Sequence, residues 1–226
     1  MKFVLFDIDG TLIDSGGAGV RALNLSFDDM FSVSDAFRGI SMAGKTDLQI
    51  VTEGLKLHGI ESSNGIVPAF LAAYVKHLSN TIDTQKGRVL AGIREALKAL
   101  EESDSCILGL LTGNIEQGAR IKLAAFDLDR HFAIGAFGDE DEDRNRLLPI
   151  AMEKCRDKKR VDIDYRQCIV IGDTPRDVAC AKPYGAYAIA VATGPYSYHD
   201  LAGTEADAVF QDLSDTDRLL GILGMK

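Results

Sequence analysis

The sequence has few cysteines, no long apolar run and no excess of positive charge, and each shortage excludes a class of protein. The four cysteines are scattered without zinc-ligand spacing, so neither a zinc site nor a disulfide framework is expected. No apolar run approaches the ~20 residues that span a bilayer, so we expect no membrane partner. The formal net charge of −9 argues against a nucleic-acid partner, because phosphate backbones are bound by basic faces.

Two further signals are missing from the N-terminal segment. An apolar run begins almost at the first residue, which leaves no room for a signal peptide, and we expect a cytoplasmic protein. Gly16, Gly17 and Gly19 lack the Gly-x-Gly-x-x-Gly spacing of nucleotide-binding loops, and no Gly-Lys-Ser/Thr follows them. These glycines are better explained as a flexible hinge.

Three apolar runs end in small polar clusters, and each cluster precedes a stretch compatible with a helix. The runs are 3–6, 107–111 and 168–171, and the clusters are Asp7-Ile8-Asp9-Gly10-Thr11, Thr112-Gly113-Asn114 and Gly172-Asp173-Thr174-Pro175-Arg176-Asp177. Strands that alternate with helices predict a parallel α/β sheet. Because open α/β sheets bind ligands at the carboxyl ends of their strands, the clusters indicate a ligand site.

Asp7 and Asp9 are the most informative pair in the sequence. Their side chains have the same parity at the end of the first strand, where a core strand has no structural use for two carboxylates. The pair indicates a metal site, a covalent nucleophile with its acid/base partner, or both; the alternative is a turn in which Asp and Gly serve the backbone. Asp173 and Asp177 have a similar alternative, namely capping of a helix that begins near Pro175.

The three clusters resemble motifs of the haloacid dehalogenase-like superfamily of aspartyl phosphatases, in order and spacing along nearly the whole chain. The cluster at Asp7 matches the first motif, Thr112 the second, and the cluster at Asp173 the fourth. Within the superfamily the sequence is most similar to the phosphoglycolate-phosphatase-like branch with a helical cap. The resemblance implies an α/β fold, with a doubly wound, Rossmann-like parallel sheet as its core and an inserted all-helical cap domain.

Apolar residues recur at helical spacing between the first two core strands, and no strand is convincing there. The resemblance implies that residues 16–85 form the cap and that residues 1–15 and 86–226 form the core. Further helices are expected near 116–125, 148–156 and 215–223, and strands near 133–137 and 186–192.

The resemblance also implies a covalent mechanism that depends on Mg²⁺. Asp7 would be the nucleophile that forms an aspartyl-phosphate, and Asp9 would protonate the leaving oxygen and then activate water. Mg²⁺ prefers oxygen ligands. It would be held by Asp7, the backbone carbonyl of Asp9 and Asp173, with Asp177 in support or in direct contact.

The sequence motifs identify the phosphate-binding residues less completely. Thr112 and the amides of Gly113 and Asn114 would hold phosphate oxygens at the start of a helix. The third motif of the family, usually a Lys followed by Pro, is missing between Thr112 and Asp173. Arg144 is the first candidate for its role as a cation with paired donors. Arg146 and Lys154 are the alternatives, and both arginines could instead only neutralise the acidic run 139–143.

A loop in the predicted cap, Ala43-Gly44-Lys45-Thr46-Asp47, resembles the Gly-x-Thr-Asp turn with which related phosphatases approach their substrate. We therefore expect Lys45 and Thr46 to contact the substrate. Thr46 is equally well explained as the N-cap of the next helix, with Gln49 completing a capping box. Lys45 is equally well explained as a solvated side chain.

The predicted function is Mg²⁺-dependent hydrolysis of a small phosphorylated, phosphoglycolate-like metabolite by a monomer or homodimer. A phosphosugar mutase would share all the core residues and stays open as an alternative. A 2-haloacid dehalogenase, like the phosphonate hydrolases of the superfamily, typically lacks an acid at the position of Asp9. A non-catalytic binding module would not need Asp7, Asp9, Thr112, Asp173 and Asp177 together.

Overall fold

The computed structural model describes residues 1–62, 65–103 and 105–225. Its strands, in chain order, are β1 (Lys2–Phe6), β2 (Ile13–Asp14), β3 (Arg88–Val89), β4 (Cys106–Leu111), β5 (Gly135–Ala136), β6 (Cys168–Gly172), β7 (Tyr187–Val191) and β8 (Ala208–Phe210). Its helices are α1 (Ala18–Phe31), α2 (Asp47–Leu57), α3 (Ile66–Thr81), α4 (Ile93–Glu101), α5 (Glu116–Ala125), α6 (Leu147–Lys159), α7 (Pro175–Ala181), α8 (Tyr198–Ala202) and α9 (Thr216–Leu223).

Six parallel strands form the central sheet in the order β5-β4-β1-β6-β7-β8. β1 lies in the middle, where Phe3 is in register with Ile107 of β4 and with Cys168 of β6. The chain moves outward from β1 to β5, then crosses to β6 and moves outward to β8, as in a doubly wound, Rossmann-like sheet. The predicted α/β core is confirmed. The strand order reverses between β1 and β6, which is where such sheets bind ligands.

β1 is buried on both faces. Val4 and Phe6 pack into one hydrophobic cluster with residues of α4, α5 and α9, whereas Phe3 and Leu5 pack into a second cluster with residues of α6, α7 and α8. The two sets alternate because successive strand residues point to opposite faces. A strand enclosed in this way has room for polar side chains only at its end, which is where Asp7 follows.

The segment between β2 and β3 contains α1, α2 and α3, the three helices that the apolar periodicity predicts there. Their buried side chains form a separate hydrophobic cluster around Phe27, whose ring centroid lies 5.5 Å from that of Phe37 and 5.8 Å from that of Phe70. Ile115, just before α5, joins this cluster. The helical insert is therefore packed onto the core beside the end of β4.

One expectation for this region is wrong. The sequence predicts no strand between the first two core strands, but β2 and β3 form an antiparallel pair in which Ile13 is opposite Val89 and Asp14 is opposite Arg88. Two-residue strands are too short to leave a periodic pattern, and their partners are distant in sequence. The pair joins the two places where the chain enters and leaves the helical insert.

The other core elements lie close to their predicted positions. α5 occupies 116–125 as expected, and Gly185 ends the turn after α7 with a left-handed backbone (φ 73°), as expected of a C-cap. β8 and α8 were not predicted, because short elements depend on neighbours such as β7, with which β8 pairs. Over the described part of the chain, no helix combines the length and the apolar character that crossing a membrane requires.

Candidate active site

The three polar clusters meet at the carboxyl edge of the sheet, beneath the helical insert. Asp7 follows β1, Thr112 follows β4, and Asp173 follows β6, and these three strands are neighbours. A cavity of about 300 Å³ lies at this edge. Its walls include Asp7, Asp9, Asn114, Lys122, Arg144 and Asp173 from the core, and Lys45, Asp47 and Tyr74 from the insert.

Three buried carboxylates form the floor of the site. Asp7, Asp173 and Asp177 each place one oxygen within 4.8 Å of the other two. Burial raises the pKa of Asp7 to about 6, with repulsion from Asp177 adding to the effect. Burial raises the pKa of Asp173 further, to about 8, again with repulsion from the other two acids. Ionisation of three crowded, buried carboxylates is unfavourable without compensating positive charge. Such a group of oxygen ligands fits a hard divalent cation.

Asp173 sits in a slot that only glycine leaves open. Thr11 donates to its Oδ1 at 3.2 Å. A Cβ at Gly194 would lie 1.7 Å from Oδ2, and one at Gly10, which has a left-handed φ of +81°, would lie 2.4 Å from the same atom. The two glycines therefore let the carboxylate approach the end of β1.

Asp177 combines two roles. Its Oδ2 accepts hydrogen bonds from the Thr174 amide at 3.0 Å and from the Thr174 hydroxyl at 2.7 Å, so the two residues form a capping box at the start of α7. Its Oδ1 accepts from the Arg144 guanidinium. Helix capping and membership of the carboxylate group are thus compatible. Both oxygens accept hydrogen bonds, and one of them also lies within 4.8 Å of oxygens of Asp7 and Asp173.

Arg144 reaches the site from a 3₁₀ turn (Arg144–Arg146), in which the Asp143 side chain accepts from the Asn145 amide. Its buried guanidinium lies 3.3 Å from Asp7 Oδ1 and also pairs with Asp177. Burial alone would lower the pKa of Arg144, but the two carboxylates raise it well above its ordinary value. The acidic run 139–143 is therefore followed directly by a buried, positively charged side chain.

The two alternatives to Arg144 lie elsewhere. Arg146 is largely exposed and pairs with Asp141 at 3.1 Å. Lys154 pairs with Glu140 at 2.8 Å, away from the three carboxylates. Of the three candidate cations, the structure brings Arg144 to Asp7.

Asp9 faces the cavity and is held by three donors. Ser15 donates to its Oδ1 at 3.0 Å, while Asn114 donates to its Oδ2 at 3.0 Å and Lys122 at 2.6 Å. Burial raises the pKa of Asp9, but the charge of Lys122 and these hydrogen bonds outweigh that effect and leave the pKa below its ordinary value. Asn114 also donates to the Thr112 hydroxyl at 2.9 Å, so its bond to Asp9 joins the first cluster to the second.

Lys122 is a site residue that the sequence analysis missed. It has no motif spacing, but it stands among the buried positions of α5, beside Ala119 and Leu123. A lysine on the apolar face of a predicted helix was the available signal, because a buried ammonium group requires a partner.

The insert loop reaches the cavity through Lys45, while Thr46 fixes the start of α2. The Thr46 hydroxyl accepts from the Gln49 amide at 3.1 Å and donates to the Glu142 carbonyl at 2.9 Å, so its N-cap interpretation is confirmed. The Gln49 side chain donates to Glu53 and does not complete a capping box. Lys45 lines the cavity and pairs with Glu53.

Asp47 and Gly113 form a close junction between insert and core. The sequence analysis placed Asp47 in the insert loop but gave it no role of its own. The Asp47 amide donates to the Gly113 carbonyl at 2.7 Å, and its Oδ2 accepts from the Ile115 amide at 2.9 Å. Burial raises the pKa of Asp47 to about 6. A Cβ at Gly113 would lie 2.0 Å from the Lys45 carbonyl oxygen. The insert loop therefore rests directly on the backbone that follows β4.

Comparisons with known proteins agree with this architecture. A family model described as haloacid dehalogenase-like hydrolase matches residues 4–191. The phosphoglycolate phosphatase of Rhodospirillum rubrum is 30% identical over 227 residues, covering 97% of this chain and 91% of that protein. A hydrolase from Pseudomonas syringae has a TM-score of 0.70 at 22% identity over 99% of each chain. CbbY from Rhodobacter sphaeroides, in complex with phosphate, has a TM-score of 0.73 at 16% identity over 95% of this chain and 96% of that chain.

We expect Gly113→Ala to separate the insert loop from the core. The added methyl group would collide with the Lys45 carbonyl, so stability should fall by about 1–3 kcal/mol and the cavity should open. Thermal denaturation measures the first effect and limited proteolysis of the insert the second. The matched control is Gly221→Ala, in α9, where nothing lies within 4 Å of the added atom. Equal behaviour of the two variants would show that the close approach is not required.

Proposed function

The chain belongs to the haloacid dehalogenase-like hydrolase family and is a phosphoric monoester hydrolase, and we propose that it hydrolyses a small phosphorylated, phosphoglycolate-like metabolite in a Mg²⁺-dependent reaction through an aspartyl-phosphate intermediate. The observation that carries the proposal is the convergence of Asp7, Asp173, Asp177 and Arg144 beneath a cavity of about 300 Å³. As part of the proposal, the enzyme acts in the cytoplasm as a monomer or homodimer.

Asp7 and Asp173 are the proposed carboxylate ligands of Mg²⁺, with the Asp9 carbonyl as a third ligand and Asp177 in support or in direct contact. Their crowding and raised pKa values support a cation at this position. Bound Mg²⁺ would supply the positive charge that lets an anionic phosphate approach carboxylates.

Asp7 is the proposed nucleophile. A bond forms between its carboxylate oxygen and phosphorus while the bond from phosphorus to the ester oxygen breaks, and Asp9 gives that oxygen its proton. Water then attacks the phosphorus of the aspartyl-phosphate, losing its proton to Asp9 and releasing phosphate and the Asp7 carboxylate. Arg144, which lies 3.3 Å from Asp7, stabilises charge on the nucleophile and on the phosphoryl group.

The backbone after β4 is the proposed phosphate cradle. Thr112 and the amides of Gly113 and Asn114 lie between β4 and α5, and Gly113 and Asn114 line the cavity. The Asn114 amide donates to the Thr112 hydroxyl at 3.3 Å, so a phosphate oxygen would replace that hydroxyl as its acceptor. CbbY, which shares the fold, has been solved with phosphate, and this supports a phosphate site in such a fold.

Residues 16–85 are proposed to act as a cap that closes over the phosphate. Lys45, at the cavity wall, is the proposed substrate contact. Thr46 contributes by holding the loop in place, since its hydroxyl bonds both α2 and the Glu142 carbonyl. Closure would exclude water from the reacting groups.

The direct test is release of inorganic phosphate from phosphoglycolate and from a panel of phosphorylated metabolites, with and without Mg²⁺. Hydrolysis of one ester in the presence of Mg²⁺ supports the proposal. A phosphosugar mutase would instead isomerise a sugar phosphate without releasing phosphate. That result, or a complete lack of turnover, would contradict it.

We expect Asp7→Asn to abolish turnover of p-nitrophenyl phosphate, because loss of a covalent nucleophile can cost about six orders of magnitude. The matched control is Asp162→Asn, whose side chain is 97% exposed and far from the chemistry. The control should retain the wild-type rate. Near-normal turnover by the Asp7 variant, after contaminating phosphatase is excluded, would refute the nucleophile assignment.

Mg²⁺ should raise the melting temperature of the wild type, since a ligand at about 100 times its Kd stabilises the folded state by about 2.7 kcal/mol. Asp173→Asn should lose most of this shift and raise the half-saturating Mg²⁺ concentration for activity. Asp9→Asn should keep the thermal shift, because Asp9 would offer only its backbone carbonyl. A larger loss of the shift in the Asp9 variant would reverse the ligand assignment.

Lys45→Ala should change KM or the preference among phosphate esters while leaving the Mg²⁺ requirement unchanged. Lys56→Ala, on the exposed side of α2, is the matched control and should change neither. Thr46→Ala should in addition cost about 1 kcal/mol of stability through loss of the N-cap. Small and equal effects of the Lys45 change on every ester would place specificity elsewhere.

A further inference from the structure

Lys122 is buried at the wall of the active-site cavity, yet no step of the proposed mechanism uses it. Its side chain is 5% exposed, whereas that of its partner Asp9 is 39% exposed. Both residues line the cavity, and Asp9 is the more accessible of the two. Burial of an ammonium group costs free energy unless strong partners compensate for it.

The contacts of Lys122 converge on the Asp9 carboxylate. Its Nζ lies 2.6 Å from Asp9 Oδ2 and 2.6 Å from Asn114 Oδ1. Since an ammonium group only donates, the Asn114 oxygen must face Lys122 and its amino group must face Asp9 and the Thr112 hydroxyl. Ser15 holds the other oxygen of Asp9. Three donors from separate parts of the chain thus determine the orientation of one carboxylate.

The other cations at the cavity wall are engaged elsewhere. Arg144 pairs with Asp7 and Asp177, and Lys45 pairs with Glu53. Within 1–62, 65–103 and 105–225, Lys122 is the only basic side chain in ion-pair contact with Asp9.

We propose that Lys122 is the positioning residue for Asp9, and that together with Asn114 and Ser15 it holds this carboxylate toward the ester oxygen of the substrate. The proposal rests on the proposed function, in which Asp9 protonates that oxygen. Without the lysine, Asp9 would keep only neutral donors while facing an anionic phosphate and the nearby carboxylates of Asp7 and Asp47. With only the Asn114 and Ser15 contacts left, the Asp9 carboxyl group would be free to turn away from the bond that must break.

This role predicts a dependence on the leaving group. Departure of a poor leaving group needs protonation by Asp9, whereas p-nitrophenolate leaves without it. Phenyl phosphates of similar size, from p-nitrophenyl to p-methylphenyl phosphate, vary that need while keeping the fit to the cavity. A residue that only stabilised the fold would slow all members of the series equally.

The experiment measures first-turnover rates of this series, with Mg²⁺ present and enzyme in excess. For Lys122→Met we expect a loss of about 10²–10⁴-fold with p-methylphenyl phosphate and less than about tenfold with p-nitrophenyl phosphate, since general acid catalysis contributes on that scale. Arg120→Met is the matched control on the same helix: Arg120 pairs with Asp129 and Glu116 and should be removable without changing either rate. A uniform loss across the series would overturn the proposal.

The double variant Asp9→Asn/Lys122→Met tests whether the lysine acts through Asp9. It removes both charges together, so it remains informative if Lys122→Met alone does not fold. We expect it to be no slower than Asp9→Asn within about threefold, because residues that act as a unit are not additive. If the rate loss of the double variant equals the product of the losses of the two single variants, the proposal is overturned. Wild-type rates in Asp9→Asn itself would overturn the proposed function, and the role of Lys122 with it.

Discussion

Asp7, Asp173 and Asp177 keep their carboxylates within 4.8 Å of one another in a place that water hardly reaches. Burial and mutual repulsion oppose ionisation, which is why the pKa of Asp173 rises to about 8. Arg144 supplies one positive charge against three carboxylates, so full ionisation of the three acids would leave two negative charges uncompensated. The neighbouring ends of β1 and β6 hold two of these acids together, and α7 supplies the third.

Two buried cations at the cavity pair with different carboxylates. Arg144 pairs with Asp7 and Asp177 on the side where phosphorus would be attacked. Lys122 pairs with Asp9 on the side where the ester oxygen would leave. The two carboxylates of the first cluster therefore meet different environments, with the pKa of Asp7 raised and that of Asp9 lowered.

The helical insert contacts the site mainly through its backbone, with a longer contact from the Arg144 guanidinium to the Gly44 carbonyl at 3.4 Å. Asp47 exchanges hydrogen bonds with the segment after β4, through the Gly113 carbonyl and the Ile115 amide. Gly113 permits this approach because it has no Cβ to meet the Lys45 carbonyl. The segment that would cradle the phosphate is thus also the segment on which the insert rests. A movement of the insert would therefore displace the segment after β4.

The sequence by itself determined the α/β core, the three helices between β2 and β3, and the meeting of Asp7, Thr112 and Asp173, because these depend on local periodicity and on where apolar runs end. It also ranked Arg144 above Arg146 and Lys154. Only the tertiary structure decided that Lys122 faces Asp9, that Asp47 bonds the start of α5, and that β2 pairs with β3. Such contacts join residues far apart in the chain, and their geometry is set by packing, which leaves no periodic trace in the sequence.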